Sequence, residues 1–360
     1  MPGLLVVAPR EAESSHAPEF RYLFSHCLLQ AREVFGEVTV AEEAPDTVDG
    51  FEAVLLLGSS RVLISRRSLA ALRGMLRSGF AEARPWRLSD VGARFPVYTL
   101  RGFERAEDDF LSRGSGAPAA PSRLPVSLLT PERFLRVRGD LSASLDQTAG
   151  AAGLYHEFID YYGEVRSDIL PLIPEGTWEV LEVGCGRGVT GRLIQEQLGC
   201  QVTGVELNPV VAQEAARHLH RVLQGDVETL DIDGRFDVVL ALELVEHLVE
   251  TERFLSRVPR LLAPGGRALF SIPNVGHYSV IEDLIAGRWD YLPIGLLCYT
   301  HYRFFTRQTL ADWLRRSGIK RFELIPQKTE LPENPERFTA HFETDLESLS
   351  TKGFYVVVHG

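Results

Sequence analysis

Apolar residues fall into two kinds of run along the chain. Short, mainly apolar runs at residues 3–8, 53–58, 179–183, 201–206, 236–242 and 267–272 read as buried strands, because a strand covered on both faces has little polar side to present. Elsewhere apolar positions recur every three or four residues, over 20–35, 68–76, 188–198, 209–218 and 251–262, which is the spacing of a helix with one buried stripe. From Trp178 onward the two patterns alternate, and such alternation predicts a parallel, doubly wound sheet with ligands at the carboxyl ends of its strands. The tail adds a helix over 308–316, capped by Thr306 and ended by Gly318, and two strand candidates at 321–327 and 353–359.

The small, Pro- and Gly-rich run Ser-Arg-Gly-Ser-Gly-Ala-Pro-Ala-Ala-Pro-Ser-Arg at 112–123 interrupts both patterns and reads as a linker. It divides the chain into a smaller α/β domain at 1–111, a linker at 112–147 and a larger domain at 148–360. The larger domain is predicted to open with a helix at 148–172 carrying Tyr155, Phe158, Tyr161 and Tyr162, either a lid or an ordinary packing face. Within it, residues 273–305 follow a strand end and are rich in His277, Tyr278, Trp289, Tyr291, Tyr299 and Tyr302, the composition of an insert that covers an acceptor pocket.

Composition narrows the partners. With 360 residues, 45% of them hydrophobic, the chain can bury two cores, and a net charge of −11 argues against nucleic acid, whose phosphates call for a basic face. Cys27, Cys185, Cys200 and Cys298 show no paired spacing, so neither a disulfide framework nor a cysteine zinc site is expected. No signal peptide or membrane span is read, and a cytoplasmic location is the expectation.

The chemistry concentrates in Val-Leu-Glu-Val-Gly-Cys-Gly-Arg-Gly, residues 180–188, where a strand runs into a glycine-rich turn. Gly184, Gly186 and Gly188 allow close backbone approach to a ligand, and Glu182 in front of them suits a cationic ligand better than a pyrophosphate. A dinucleotide fingerprint would need glycine at 189, where this chain has Val189. Glu206 at the next strand end can accept from two ribose hydroxyls. Asp226, in Gly225-Asp226-Val227, can accept from an adenine amino group. Glu243, Glu246 and His247 form ExxEH after a further strand, and His301 lies downstream in Thr-His-Tyr-Arg-Phe-Phe-Thr.

This ordered set resembles the class I S-adenosylmethionine-dependent methyltransferases, small-molecule type and similar to those of quinone biosynthesis, over residues 155–360. The resemblance implies a Rossmann-like, doubly wound, seven-stranded sheet whose last strand is antiparallel. It implies that Gly184, Gly186 and Gly188 lie under the methionine part of the cofactor, with Glu182 favouring its ammonium. Glu206 would hold the ribose hydroxyls with Leu207 beside the adenine, Asp226 and Val227 would read the adenine edge, and Leu242 and Glu243 would floor the site near the sulfonium.

The expected reaction is O-methylation of a small molecule or glycan in natural-product or polysaccharide biosynthesis, with His247 or His301 as base and Glu246 beside them. A similar ExxEH set with a later histidine binds a divalent metal in small-RNA 3′-end methyltransferases, which leaves open a metal on Glu243, Glu246, His247 and His301. Other readings stay open as well: a NAD-dependent oxidoreductase, a non-catalytic partner subunit that keeps the S-adenosylmethionine pocket, and an N-terminal domain that is itself a transferase or mediates homo-oligomers.

Overall fold

The structure is a computed structural model that describes residues 3–8, 18–59, 61–91, 98–112, 126–138, 149–158, 160–332, 334–340 and 345–360. It divides into two units, Met1–Ile159 with Tyr291–Ile294, and Asp160–Asp290 with Gly295–Gly360.

The first unit holds β1 (Gly3–Val7), α1 (Pro18–Phe35), β2 (Val38–Ala41), β3 (Phe51–Leu57), β4 (Val62–Ile64), α2 (Arg66–Arg77), β5 (Glu82–Arg87), α3 (Leu100–Ser112), β6 (Val126–Leu129), α4 (Pro131–Val137) and β7 (Gly150–Glu157). Its sheet runs β2-β1-β3-β6-β5-β7-β4, with β6 and β4 antiparallel to their neighbours. Alternation along the strands buries both faces. Leu4, Val6, Leu55 and Leu57 pack with Leu69 and Leu72 of α2, while Leu5, Val7, Val54 and Leu56 pack with Phe134 and Val137 of α4.

Three sequence expectations change here. Residues 126–129 and 131–137, assigned to the linker, form β6 and α4 of the sheet, because their apolar side chains complete its core. Linker residues 113–125 and 139–147 lie outside the described residues. The helix expected at 148–172 is instead strand β7, then an irregular stretch, then a 3-10 turn at Ser167–Leu172. Gly150, Gly153 and Pro171 weaken a helix there, and Gly153 takes φ +77°, where a Cβ would lie 2.6 Å from Ser68 Oγ. The unit boundary therefore falls after residue 159 rather than before 148.

The second unit holds β8 (Glu179–Val183), α5 (Val189–Leu198), β9 (Gln201–Glu206), α6 (Pro209–Ala215), β10 (Arg221–Gln224), β11 (Phe236–Leu242), α7 (Thr251–Leu261), β12 (Leu262–Pro273), α8 (Tyr278–Ile285), α9 (Arg307–Arg316), β13 (Phe322–Lys328), α10 (Glu336–Thr339), α11 (Leu346–Leu349) and β14 (Thr351–His359). Its sheet order is β10-β9-β8-β11-β12-β14-β13, parallel from β10 to β12, with β14 antiparallel between β12 and β13. Neighbouring residues on one strand serve opposite cores. Val239 and Ala241 face Phe254, Leu255 and Trp313 of α7 and α9, whereas Val238 and Leu240 face the core that includes Ile194 of α5 and Ala215 of α6. Asn208 caps α6 through Val210 N and Val211 N, and Thr306 and Thr309 form a capping box at α9. After β12 the chain leaves the sheet and returns where Asn274 pairs with Phe305. Among the described residues no helix is long and apolar enough to cross a membrane.

In the first unit Glu82, 2% exposed, accepts from Arg84 Nε at 2.6 Å and lies 3.4 Å from Arg133 Nε. Glu82→Ala would strand the Arg84 guanidinium, itself 6% exposed, so it should cost about 3–5 kcal/mol in urea unfolding. A loss under about 1 kcal/mol would mean that the pair is solvated.

Candidate active site

The carboxyl ends of β8, β9 and β11 converge on one glycine loop. Past Val183 the backbone takes φ +72°, +52° and +74° at Gly184, Gly186 and Gly188, conformations open to glycine at little cost. Space is as strict as torsion. A Cβ on Gly186 would stand 2.6 Å from the Tyr162 carbonyl oxygen, and one on Gly188 2.9 Å from Leu219 Cγ. Glu206, 6% exposed, pins this loop to β9. Its Oε2 accepts from Gly186 N at 3.0 Å and its Oε1 from Asn208 N at 2.9 Å. Burial raises its pKa, and the backbone donors at Asn208 and Gly186 oppose that rise.

Glu182 is buried on β8, and its Oε2 has no hydrogen-bond partner. That oxygen rests against Gly191 of α5, where a Cβ would come within 2.5 Å of it. Desolvation raises the carboxyl to about 8, with the Gly191 N–H opposing and the Glu206 charge adding.

The other sequence candidates separate by environment. Leu207 stands 64% exposed just past β9. Asp226 is exposed and turns its Oδ1 to Glu228 N at 2.8 Å, while Val227 is buried in the core and its carbonyl accepts from Arg257 at 2.7 Å. Leu242 ends β11 half-buried. Glu243 follows with φ +47°, the one non-glycine positive φ among the described residues, a strained value held by donation of its N–H to Ser271 Oγ at 2.9 Å.

Glu246 and His247 occupy the next turn, Val245–His247. Glu246 is fully buried; burial first, then the Glu243 charge and a hydrogen bond to that carboxylate, hold its pKa well above the usual carboxylate range. His301 Nε2 lies 3.8 Å from Glu246 Oε1, and the His301 and His247 rings meet edge to face with centroids 4.7 Å apart. Burial lowers both imidazoles, His301 to about 3, so both are neutral at pH 7. Tyr161 completes this wall, its ring centroid 6.4 Å from that of His247.

Four neighbours escaped the sequence reading. Arg166 reaches Glu243 Oε1 at 3.5 Å and Ser271 Oγ at 3.4 Å, and pairs with Asp168 and Tyr355. Thr300 Oγ1 lies 3.0 Å from His247 Nδ1, and Cys298 Sγ lies 3.5 Å from Thr300 Oγ1. The spacing gives Arg166, Ser271, Cys298 and Thr300 no role, since they arrive from three parts of the chain distant from Glu243 and His247. Of the glutamate-rich metal set, Glu246 lies 3.8 Å from His301 and is hydrogen-bonded to Glu243, which also meets Arg166, but the group whose ligand atoms gather within 4.8 Å of one another is His247, Cys298 and His301, without either glutamate.

Residues 151–323 match a family model described as a methyltransferase domain. That match, on a sheet of this order with β14 antiparallel, decides the family. The second unit is a class I S-adenosylmethionine-dependent methyltransferase. The chain is 28% identical over 185 residues to a ubiquinone biosynthesis O-methyltransferase of Nitrosococcus oceani, covering 46% of this chain and 78% of that enzyme. The Nitrobacter winogradskyi enzyme of the same name is 34% identical over 152 residues, covering 39% of this chain and 56% of that one. A solved S-adenosylmethionine-dependent methyltransferase from Archaeoglobus fulgidus is 21% identical and covers 54% of this chain and 92% of its own, with a TM-score of 0.40. One from Mesorhizobium loti is also 21% identical, covering 54% and 96%, with a TM-score of 0.37.

In the methyltransferase unit, Glu182 carries a pH signature. Its folded pKa, about 8, lies above the ordinary 4.5, so the folded chain holds this proton more tightly than the unfolded one. Stability is then lost as pH rises from about 4.5 to about 8. Glu182→Gln, which mimics the protonated acid, should remove up to about 1.4 kcal/mol per pH unit of that decline in melts between these limits. Parallel curves for the two proteins would mean that Glu182 is ionised at neutral pH.

Proposed function

We propose that this methyltransferase transfers the methyl group to a hydroxyl oxygen of a small molecule or glycan. S-adenosylmethionine, when bound, supplies a methyl on a positively charged sulfur. The loop at Gly184, Gly186 and Gly188 lies under its methionine part, and the arriving ammonium group would draw off the proton that burial keeps on Glu182 and pair with the carboxylate so formed. Glu206 keeps a second lone pair on each oxygen for the ribose hydroxyls while it holds Gly186 and Asn208. The exposed Leu207 covers one adenine face, Asp226 with the Val227 backbone reads its edge, and Leu242 and Glu243 floor the site. Arg166 brings positive charge to the same strand ends.

The observation that carries the oxygen acceptor is His247, uncharged just past β11 with the His301 ring packed against it; His301 itself, lowered to about 3, is too weak a base to take the proton. A hydroxyl is a poor nucleophile until its proton has somewhere to go, and a neutral imidazole is the group that offers a lone pair near pH 7. Tyr161 beside His247 gives an acceptor ring a flat wall. The printed name of the relatives, O-methyltransferase, supports the same atom. Alignment of that oxygen with the methyl carbon then supplies much of the rate.

Mass spectrometry of phenol, catechol and sugar acceptors incubated with S-adenosylmethionine should show a gain of one methyl. His247→Ala should lower kcat about 100-fold or more while leaving cofactor affinity, read by calorimetry, unchanged. Turnover within about tenfold of the parent would remove His247 from the proton's path.

A further inference from the structure

We propose that His247, Cys298 and His301 form a binding site for a zinc-class dication. A ligand atom from each of the three lies within 4.8 Å of the other two, although 51 residues separate His247 from Cys298 (298 − 247). In a tetrahedral zinc site, bonds of about 2.0–2.3 Å place ligand atoms roughly 3.3–3.6 Å apart, so modest side-chain rotation closes the gap. Two imidazoles and a thiol are soft donors. They favour zinc, cobalt or copper over the magnesium or manganese that a glutamate-rich set would take.

Independent features around the three point the same way. Thr300 Oγ1 engages His247 Nδ1 at 3.0 Å, which leaves Nε2 for a metal, the usual division of labour in a ligating histidine. On His301, Nε2 lies 3.8 Å from Glu246 Oε1. An imidazole set between a carboxylate and a metal is a recurring arrangement at zinc sites. None of this needs carboxylate ligation by Glu243, which faces Arg166.

Metal binding would convert the Cys298 thiol to thiolate and release one proton to solvent. Three protein ligands leave the fourth tetrahedral position open, as in catalytic rather than structural zinc sites. An acceptor hydroxyl would fill that position and release its proton to solvent, the His247 lone pair then serving the metal in place of the proton; this consequence rests on the acceptor reading above, whereas the metal site itself does not.

Cobalt(II) serves as the spectroscopic probe. The full chain, stripped with chelator and titrated with cobalt, should take up one equivalent and develop the near-ultraviolet thiolate-to-cobalt band, and zinc should displace it. Cys298→Ser should lose the band and His301→Ala should weaken binding at least tenfold, both retaining S-adenosylmethionine binding by calorimetry as the check on folding. The absence of saturable cobalt binding by the parent chain, or an unchanged spectrum in Cys298→Ser, would overturn the proposal. One equivalent bound with the thiolate band, in a protein that methylates no hydroxyl, would uphold the metal site and refute the acceptor reading alone.

Discussion

One carboxylate ties the site to the sheet. Glu206 ends β9, sits almost wholly out of water, and spends both oxygens on backbone N–H groups, one in the glycine loop and one at the cap of α6. The Val205 carbonyl accepts from Gly184 and Cys185, and the Glu206 carbonyl accepts from Gly225 after β10. Three strand ends are thereby fixed against one another before any ligand arrives, and fixed geometry of this kind lets weak contacts add to specific binding. A Cβ at Gly186 or Gly188 would run into a neighbour, and at Gly184 the positive φ itself disfavours a side chain, so the loop holds this path because those side chains are absent.

The second half of the site depends on strain and burial rather than on such a clamp. Glu243 is forced to a positive φ where β11 ends, and this turn directs Glu246 inward and His247 toward Thr300 and His301. Residues 295–305 supply the partners from the far end of the excursion that the Asn274–Phe305 pairing closes. Neutral imidazoles, a buried carboxyl and a thiol then share one small volume. Low dielectric there makes each lone pair available to a proton or a metal, and makes every unpaired group expensive.

The methyltransferase sheet was legible because its strands are mainly apolar and its loops carry glycine and carboxylate at fixed offsets. Gly184, Gly186, Gly188 and Glu206 could be placed from sequence since their chemistry is local to one strand-loop-helix unit. Arg166, Ser271, Cys298 and Thr300 could not, because only tertiary contact brings them to Glu243 and His247. The N-terminal unit was the poorer prediction. β7 carries two glycines, and its Tyr155 with Phe158, Tyr161 and Tyr162 beyond it has a spacing that mimics a helix face, while β6 and α4 follow a Pro-rich run that hides them. In both places the outcome was set by packing into a sheet core, which local pattern does not encode.

The central claim is that Glu206 both shapes the glycine loop and receives the cofactor's ribose. Calorimetric titration of the intact chain and of Glu206→Ala with S-adenosylmethionine, and of the intact chain with NAD, addresses it directly. The account predicts saturable binding of S-adenosylmethionine by the parent chain, none of NAD, and loss of at least about 100-fold in affinity in the variant, since two ribose contacts and the loop clamp go together. Equal affinity in the variant, or binding of NAD in place of S-adenosylmethionine, would contradict it.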